Sequence, residues 1–233
     1  ITAVATADDA SATIVVDVLP IDGDDDATAI SIAAAVGVAG LVGDIDGGDD
    51  ATVTISADAT TQDTTANAID FATSINAAIA LGLGAGIEGS INGAEISATA
   101  ETGDADATAA ADSFPSESDA LNIAGAVALG GIVGGDISGS TLTASAETGD
   151  ATADETYGDA SATTMAVSAG VIGAIQGTVT DTTITATSFS GDAEAVSDNS
   201  DVSANSLSFA AGILGSVHAV SDEDGDVIIN VSA

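Results

Sequence analysis

The chain has 233 residues, with 37 Asp and Glu against no Lys and no Arg, no Cys and one His, for a formal charge of −37. Nucleic-acid binding through phosphate and clamped phosphoryl transfer both need cationic side chains and are excluded, as are disulfide frameworks and thiolate metal sites. An anionic membrane surface repels such a chain, and a Ser-His-Asp or Cys-His mechanism would rest on His218 alone.

Net charge of this size often accompanies disorder. Here 45% of residues are hydrophobic and only 2% aromatic. Ala, Val, Ile and Leu interleave with Thr, Ser, Gly and Asp, which predicts an ordered β protein with acid gathered at edges and turns. The neutralising cations must come from solvent: calcium, magnesium or concentrated sodium.

In chain order, the first element is the alternating segment from Ile1-Thr2-Ala3, ending in an acidic tract. An insertion surrounds Leu19-Pro20-Ile21-Asp22-Gly23-Asp24-Asp25-Asp26. Next comes the apolar stretch Ile30–Val42, where Ile30, Ile32, Ala34, Val36 and Val38 share one side and Ser31, Ala33, Ala35, Gly37 and Ala39 the other. Period-two alternation predicts a strand with one bulky and one nearly bare face. The bulky face is expected to fill the interior; the bare Ala/Gly face is expected to pack closely on a neighbouring sheet or chain. The acidic corner Asp46-Gly47-Gly48-Asp49-Asp50 leads to a Thr-rich strand, with Val53, Ile55 and Ala57 on one face and Thr52, Thr54, Ser56 and Asp58 on the other. The same parts return with apolar stretches Ile75–Ile87 and Leu121–Val133. Each stretch is shorter than the ~20 residues of a transmembrane helix, so no membrane insertion is expected.

Two signatures recur with nearly one period. An Ile/Leu–Thr/Ser–Ala strand is anchored at Ile1, Val53, Ile96, Leu142, Ile184 and Ile229, and a Gly-x-Ile/Val step falls at Gly43, Gly89, Gly135, Gly177 and Gly215. The period divides one repeat domain into residues 1–52, 53–95, 96–141, 142–183 and 184–233. A unit of this length that cannot close its own core stacks on copies of itself. The predicted fold is all-β, a parallel β-solenoid (β-helix) of about five imperfect repeats, with Ile over Val over Leu inside and Thr over Thr outside. The alternative is an antiparallel β-sandwich, which gives no reason for a recurring signature.

No Met and no basic segment opens the chain, so any secretory leader is expected to be already removed. First and last segments share one phase of the repeat. Ile1, Thr2 and Ala3 would leave one strand edge open, and Val227, Ile228, Ile229 and Val231 another. Open edges pair with further strands, so the expected partner is the chain itself, head-to-tail in a homopolymer, or flanking repeats of a longer polypeptide.

An Ala/Val/Gly-rich strand alternating with a Thr-x-Thr or Thr-x-Ala strand and a Gly-Asp turn covers nearly the whole chain, as at Ile30–Ile45 with Val53–Ala57 and Leu121–Ile137 with Leu142–Ala146. This pattern resembles the secreted β-helix repeat regions of large bacterial surface proteins, the filamentous-haemagglutinin-type exoproteins and giant adhesins. The resemblance implies an extracellular, structural or adhesive role at the cell surface. The complete loss of Lys and Arg departs from that family's usual composition and points to a marine, halophilic or calcium-rich setting, or to escape from trypsin-like cleavage.

Calcium takes 6–8 oxygen ligands. The candidate acidic clusters are Asp22, Asp24, Asp25 and Asp26; Asp44, Asp46, Asp49 and Asp50; and Asp222, Glu223, Asp224 and Asp226. None matches an EF-hand loop or the calcium-binding nonapeptide, and the competing reading is solvated turns with diffuse counterions. Thr rows (Thr52/Thr54, Thr141/Thr143, Thr183/Thr185) are ordinary strand surface or an ice-binding face. No carboxylate pair stands apart from its repeat equivalents, so no catalytic residue is nominated and the chain is not expected to be an enzyme. His218 is expected to point outward, and Asn230-Val231-Ser232 is a short glycosylation sequon. The expected function is a structural protein that assembles head-to-tail or forms a segment of a surface fibre. The alternative is a monomeric adhesin stalk or a carbohydrate- or ice-binding module.

Overall fold

The computed structural model describes residues 1–8, 10–13, 26–47, 52–110, 116–220 and 226–233. Among them every regular element is a strand, and every strand pairing is parallel. The antiparallel sandwich is therefore excluded.

Three sheets form. The first orders Thr2–Ala7, Val53–Thr61, Ala94–Thr102, Thr141–Thr148, Thr182–Phe189 and Val227–Ser232 side by side. The second orders Ala10–Thr13, Thr64–Ala68, Ala105–Ala109, Ala151–Glu155 and Ala193–Ser197. The third holds the long strands Asp26–Val42, Phe71–Ile87, Glu117–Val133, Asp159–Thr180 and Val202–Val220, with three short strands, Ile45–Asp46, Ile91–Asn92 and Ile137–Ser138, joined at one side. The chain visits first, second and third sheet in that order each time, so each strand lies beside the strand one visit earlier. Parallel pairing needs long crossovers, and the other two sheets supply them.

Like residues form columns. Ile55, Ile96, Leu142, Ile184 and Ile229 are successive partners in the first sheet, and Ile1 sits opposite Ile55, its carbonyl accepting from the Ser56 N–H at 2.9 Å. Thr, Ser and Glu alternate outward, as the pattern predicts. Two registers differ from the expected ones. Ile55, not Val53, aligns with Ile96, and Gly215 lies beside Gly173 rather than Gly177. A slip of two or four residues keeps every side chain on its own face, so alternation cannot choose between such registers.

The third sheet reverses the expected inside and outside. Ser31, Ala33 and Ala35 are buried, whereas Ile30, Ile32 and Val36 are about half exposed or more. The bare face lines the interior; the bulky face looks outward. The gap between the second and third sheets is filled by small side chains: every buried hydrophobic residue of that cluster is Ala, including Ala66, Ala107, Ala120, Ala153 and Ala162, beside the buried Thr64, Ser74 and Ser118, and Ala33 and Ala35 pack in the neighbouring cluster with Ala57 and Ala59 of the first sheet. Isoleucine would not fit there without forcing the sheets apart.

The faces exchange roles at one point. The strand ladders skip Gly37, Gly82, Ala128 and Gly170 with the register unchanged on either side, a break in the alternation shared by all the long strands. Beyond it Leu83, Leu129 and Val171 turn inward and join Ile55, Ile96, Leu142 and Ile184 in an aliphatic core. Glycine is needed at this break because a Cβ on Gly82 would meet the Ile96 Cγ2 at 3.0 Å, and one on Gly212 would meet the Ile229 Cγ2 at 2.2 Å. The alanine of this column, Ala128, belongs to the visit whose core residue is Leu142, which has no branch at Cβ.

Candidate assembly edges and acidic corners

The first sheet ends in two strands paired on one side each. Thr2–Ala7 pairs with Val53–Thr61, and Val227–Ser232 with Thr182–Phe189. Of the residues expected to carry assembly, Ile1, Ala3, Val227, Ile229 and Val231 stand on the core side of these strands; Thr2 and Ile228 face out. Ile1 is 71% and Ile229 49% exposed, although the column between them, at Ile96, Leu142 and Ile184, is fully buried. At the first edge an open apolar cavity of about 280 Å³ is lined by Ile1, Val38, Val42, Ile45, Val53 and Ile55, with Asp44 and Asp46 alongside.

The corners are built from stacked Gly-Asp steps. Between the first and second sheets the Asp63 Oδ1 accepts the Asp104 N–H at 3.0 Å, Asp104 accepts the Asp150 N–H at 2.9 Å, and Asp150 accepts the Asp192 N–H at 2.8 Å. Each carboxylate occupies the space a Cβ would take on the glycine above it: Gly103, Gly149 and Gly191. Charge-assisted bonds of this kind are stronger than neutral ones, which offsets part of the repulsion between stacked acids. The Gly-x-Ile step works the same way. Asp44 accepts the Ser90 N–H at 2.8 Å, the Ser90 hydroxyl accepts the Asp136 N–H at 3.1 Å, and Asp136 accepts the Thr178 N–H at 2.7 Å.

Asp44 thus has a structural task. Asp46 aligns with Asn92 in a short strand, Asp26 starts a third-sheet strand beside Phe71, and Asp226 is exposed ahead of the last strand. The other expected ligands, Asp22, Asp24, Asp25, Asp49, Asp50, Asp222, Glu223 and Asp224, lie outside the described residues. Among the described residues no three His, Cys, Asp or Glu are grouped to hold a metal ion. His218 is exposed.

Two carboxyls stand above their ordinary values, one chiefly through burial and one chiefly through a neighbouring charge. Partial burial raises that of Asp106, against a lowering bond from Thr152 and with raising contributions from Asp104, Asp63 and Asp150. For Glu117 the chief cause is the neighbouring Asp119, followed by burial and then Asp159.

Inside, a polar column divides the alanine layer from the aliphatic core: Ser31, Asn76, Asn122, Thr164 and Ser206 are successive partners. The Asn122 amide donates to the Gly103 carbonyl at 2.7 Å and the Asp150 carbonyl at 3.2 Å, and its Oδ1 accepts from the Thr102 hydroxyl. Asn76 donates to the Gln62 carbonyl at 2.8 Å and the Gly103 carbonyl at 3.2 Å. These bonds satisfy corner carbonyls that face away from solvent. The buried Glu155 Oε1 does the converse, accepting from Ser116 at 3.0 Å and from the Thr156 and Tyr157 N–H groups at 2.8 and 3.2 Å.

Sequence reasoning missed the carboxylate columns and the asparagines. The recurring Thr-Gly-Asp at Thr102-Gly103-Asp104 and Thr148-Gly149-Asp150, and the Asn at matched places in two apolar stretches, were the available signals. Compared with family models, curated proteins and solved structures, the chain finds no match.

Proposed function

We propose that the chain is a section of an acidic β-solenoid, about five imperfect repeats wound through the three sheets, and that it serves as a structural element of an extracellular fibre. The observation that carries this reading is the Ile/Leu column of the first sheet, fully buried at its middle and uncovered at both edges. Strand edges and apolar columns that end in solvent are completed by pairing with more of the same. A further Ile1-Thr2-Ala3 strand added beyond Val227–Ser232 would set Ile over Ile and Ala over Val.

The strand count bears on how the fibre continues. The first sheet has six strands and the second five. Copies stacked directly through their first sheets would leave the other two sheets one strand short at every junction. Coils that supply all three strands, as flanking repeats of a long surface fibre do, leave no such gap and are favoured. The resemblance to secreted β-helix exoproteins supports an extracellular setting. Solvent cations, calcium among them, screen the acidic corners.

Electron microscopy and fibre diffraction test this. A version extended after Ala233 by a second copy of residues 103–140, which supplies second- and third-sheet strands, should form fibres of constant width with a ~4.8 Å repeat along the axis. The chain alone should form fewer and shorter ones, and a chelator should disperse both at low salt. Dispersed rods from the extended version at every cation concentration would favour a monomeric adhesin stalk or binding module. Strands running along the fibre axis would end the solenoid reading.

A further inference from the structure

The third sheet turns an apolar face to solvent on a chain that carries acid almost everywhere else. Its positions between Ile30 and Val36, with their partners on the other four long strands, include no charged residue. Ile32 is 61%, Ile79 53% and Leu207 55% exposed, and Val36 and Phe209 are nearly half exposed. Four columns by five strands, at about 6.7 Å per column and about 4.8 Å per strand, cover about 600 Å², apolar except at Thr163 and Asn205 and with Ala169 already buried. Monomeric proteins rarely leave a contiguous apolar patch of that size uncovered.

We propose that this face packs against the same face of a second copy of the chain, sheet on sheet. The other possible partners fit less well. A basic partner would be drawn to the acidic corners, because this face offers it no charge. An acidic partner other than the chain itself has no advantage over it. For two copies that repel each other through a charge of −37 apiece, the acid-free face is the surface where contact brings no carboxylates together. The pair would bury about 1,200 Å², above the ~1,000 Å² a specific interface needs. Aliphatic sheet faces interdigitate at about 10 Å.

Charge also fixes the orientation. One margin of the face carries Asp26, Glu117 and Asp159, with Asp119 one column further in. A two-fold axis along the strands would lay these rows against each other. An axis parallel to the direction in which strands stack lays each acidic row over the opposite, uncharged margin. The second arrangement keeps both copies growing in the same direction, so paired fibres extend together. This proposal does not depend on the edges of the first sheet.

Two measurements test it on the intact chain. In sedimentation at chain concentrations below those that give fibres, the chain should pass from single to paired as NaCl rises from about 0.01 M to about 1 M, over which the screening length falls from about 30 Å to about 3 Å. Ile79→Glu should stay single throughout, with an unchanged circular dichroism spectrum. The chain has no Cys, so Gly125→Cys, at the centre of the face with no atom within 4 Å of its Cβ position, gives a clean cross-link. It should form a covalent dimer at least tenfold faster than Thr99→Cys on the outer face of the first sheet. In a head-to-tail stack two residues 125 would be at least about 24 Å apart, beyond the ~7 Å limit for a disulfide. Equal cross-linking of the two variants, or pairing of Ile79→Glu like the parent, overturns the proposal. So does flotation of single chains with phosphatidylcholine vesicles at high salt, which would assign the face to a lipid surface.

Discussion

One side of the interior is held by branched aliphatic side chains, the other by alanine with a few buried Ser and Thr. In the first, Ile96, Leu129, Leu142 and Ile184 fill a space wide enough for their side chains. In the second, Ala107, Ala120, Ala153 and Ala162 bring two sheets together with one carbon per side chain. Burying an Ile or Leu stabilises by roughly 1.5–3 kcal/mol, whereas an alanine methyl contributes about one CH₂ worth, ~0.8 kcal/mol. The alanine layer therefore rests on backbone ladders and on close approach. The two sides should fail in opposite ways: one by losing volume, the other by gaining it.

The largest expected effect tests that contrast directly. Leu129→Ala, with Leu129 fully buried, should cost about 2–5 kcal/mol in chemical denaturation. Ala107→Leu, in the alanine layer, should cost about 1–3 kcal/mol or more, while Ala107→Gly should cost well under half of the Leu129→Ala figure. If Ala107→Leu is neutral, the alanine side has slack and the contrast breaks.

At the divider, Asn122→Ala removes the acceptor of the Thr102 hydroxyl and one of two donors to each of the Gly103 and Asp150 carbonyls, which keep Asn76 and the Ala105 N–H respectively. The expected loss is about 1–3 kcal/mol, seen also as faster amide hydrogen exchange at residues 103–105 and 150–152.

The break at Gly82 offers a double-mutant cycle. In Gly82→Ala the new Cβ would press on the Ala128 and Ser97 carbonyls, each at 2.8 Å, and on the Ile96 Cγ2. Adding Ile96→Leu reproduces the Ala128 and Leu142 combination and should restore part of the loss, a coupling of about 0.5–1.5 kcal/mol. Strict additivity would show that the two residues do not share the space.

The smallest effect is electrostatic and concerns the alanine side. Asp106 and Glu117 have carboxyls raised above their ordinary values of 3.8 and 4.5. A raised folded-state pKa means the folded chain holds more protons between the ordinary and the raised value, so stability falls as pH rises through that window. At low salt the unfolding midpoint should therefore climb slightly as pH drops from neutral into it, and Asp106→Asn should flatten the climb. A midpoint that falls steadily with acidification would show that the stacked Asp63–Asp104–Asp150 bonds dominate instead.

Sequence periodicity determined a good deal unaided. Period-two alternation made strands of Ile30–Val42 and Val53–Ala57, and the recurring signature predicted that equivalent strands are parallel neighbours. The Gly-Asp steps were visible as a repeat, but their work, an Asp side chain taking the backbone N–H of the next layer, needed neighbours from forty-odd residues away. Which face of Ile30–Val42 is inside was equally out of reach. Alternation divides a strand into two faces, and burial depends on the width of the gap to the facing sheet. Here Ala29 packs in one cluster with Ala66, and Ala33 and Ala35 in another with Ala57 and Ala59, so isoleucine turns to solvent and alanine to the core. Where the break at Gly37 and Gly82 leads toward Ile55 and Ile96, the aliphatic residues turn back in.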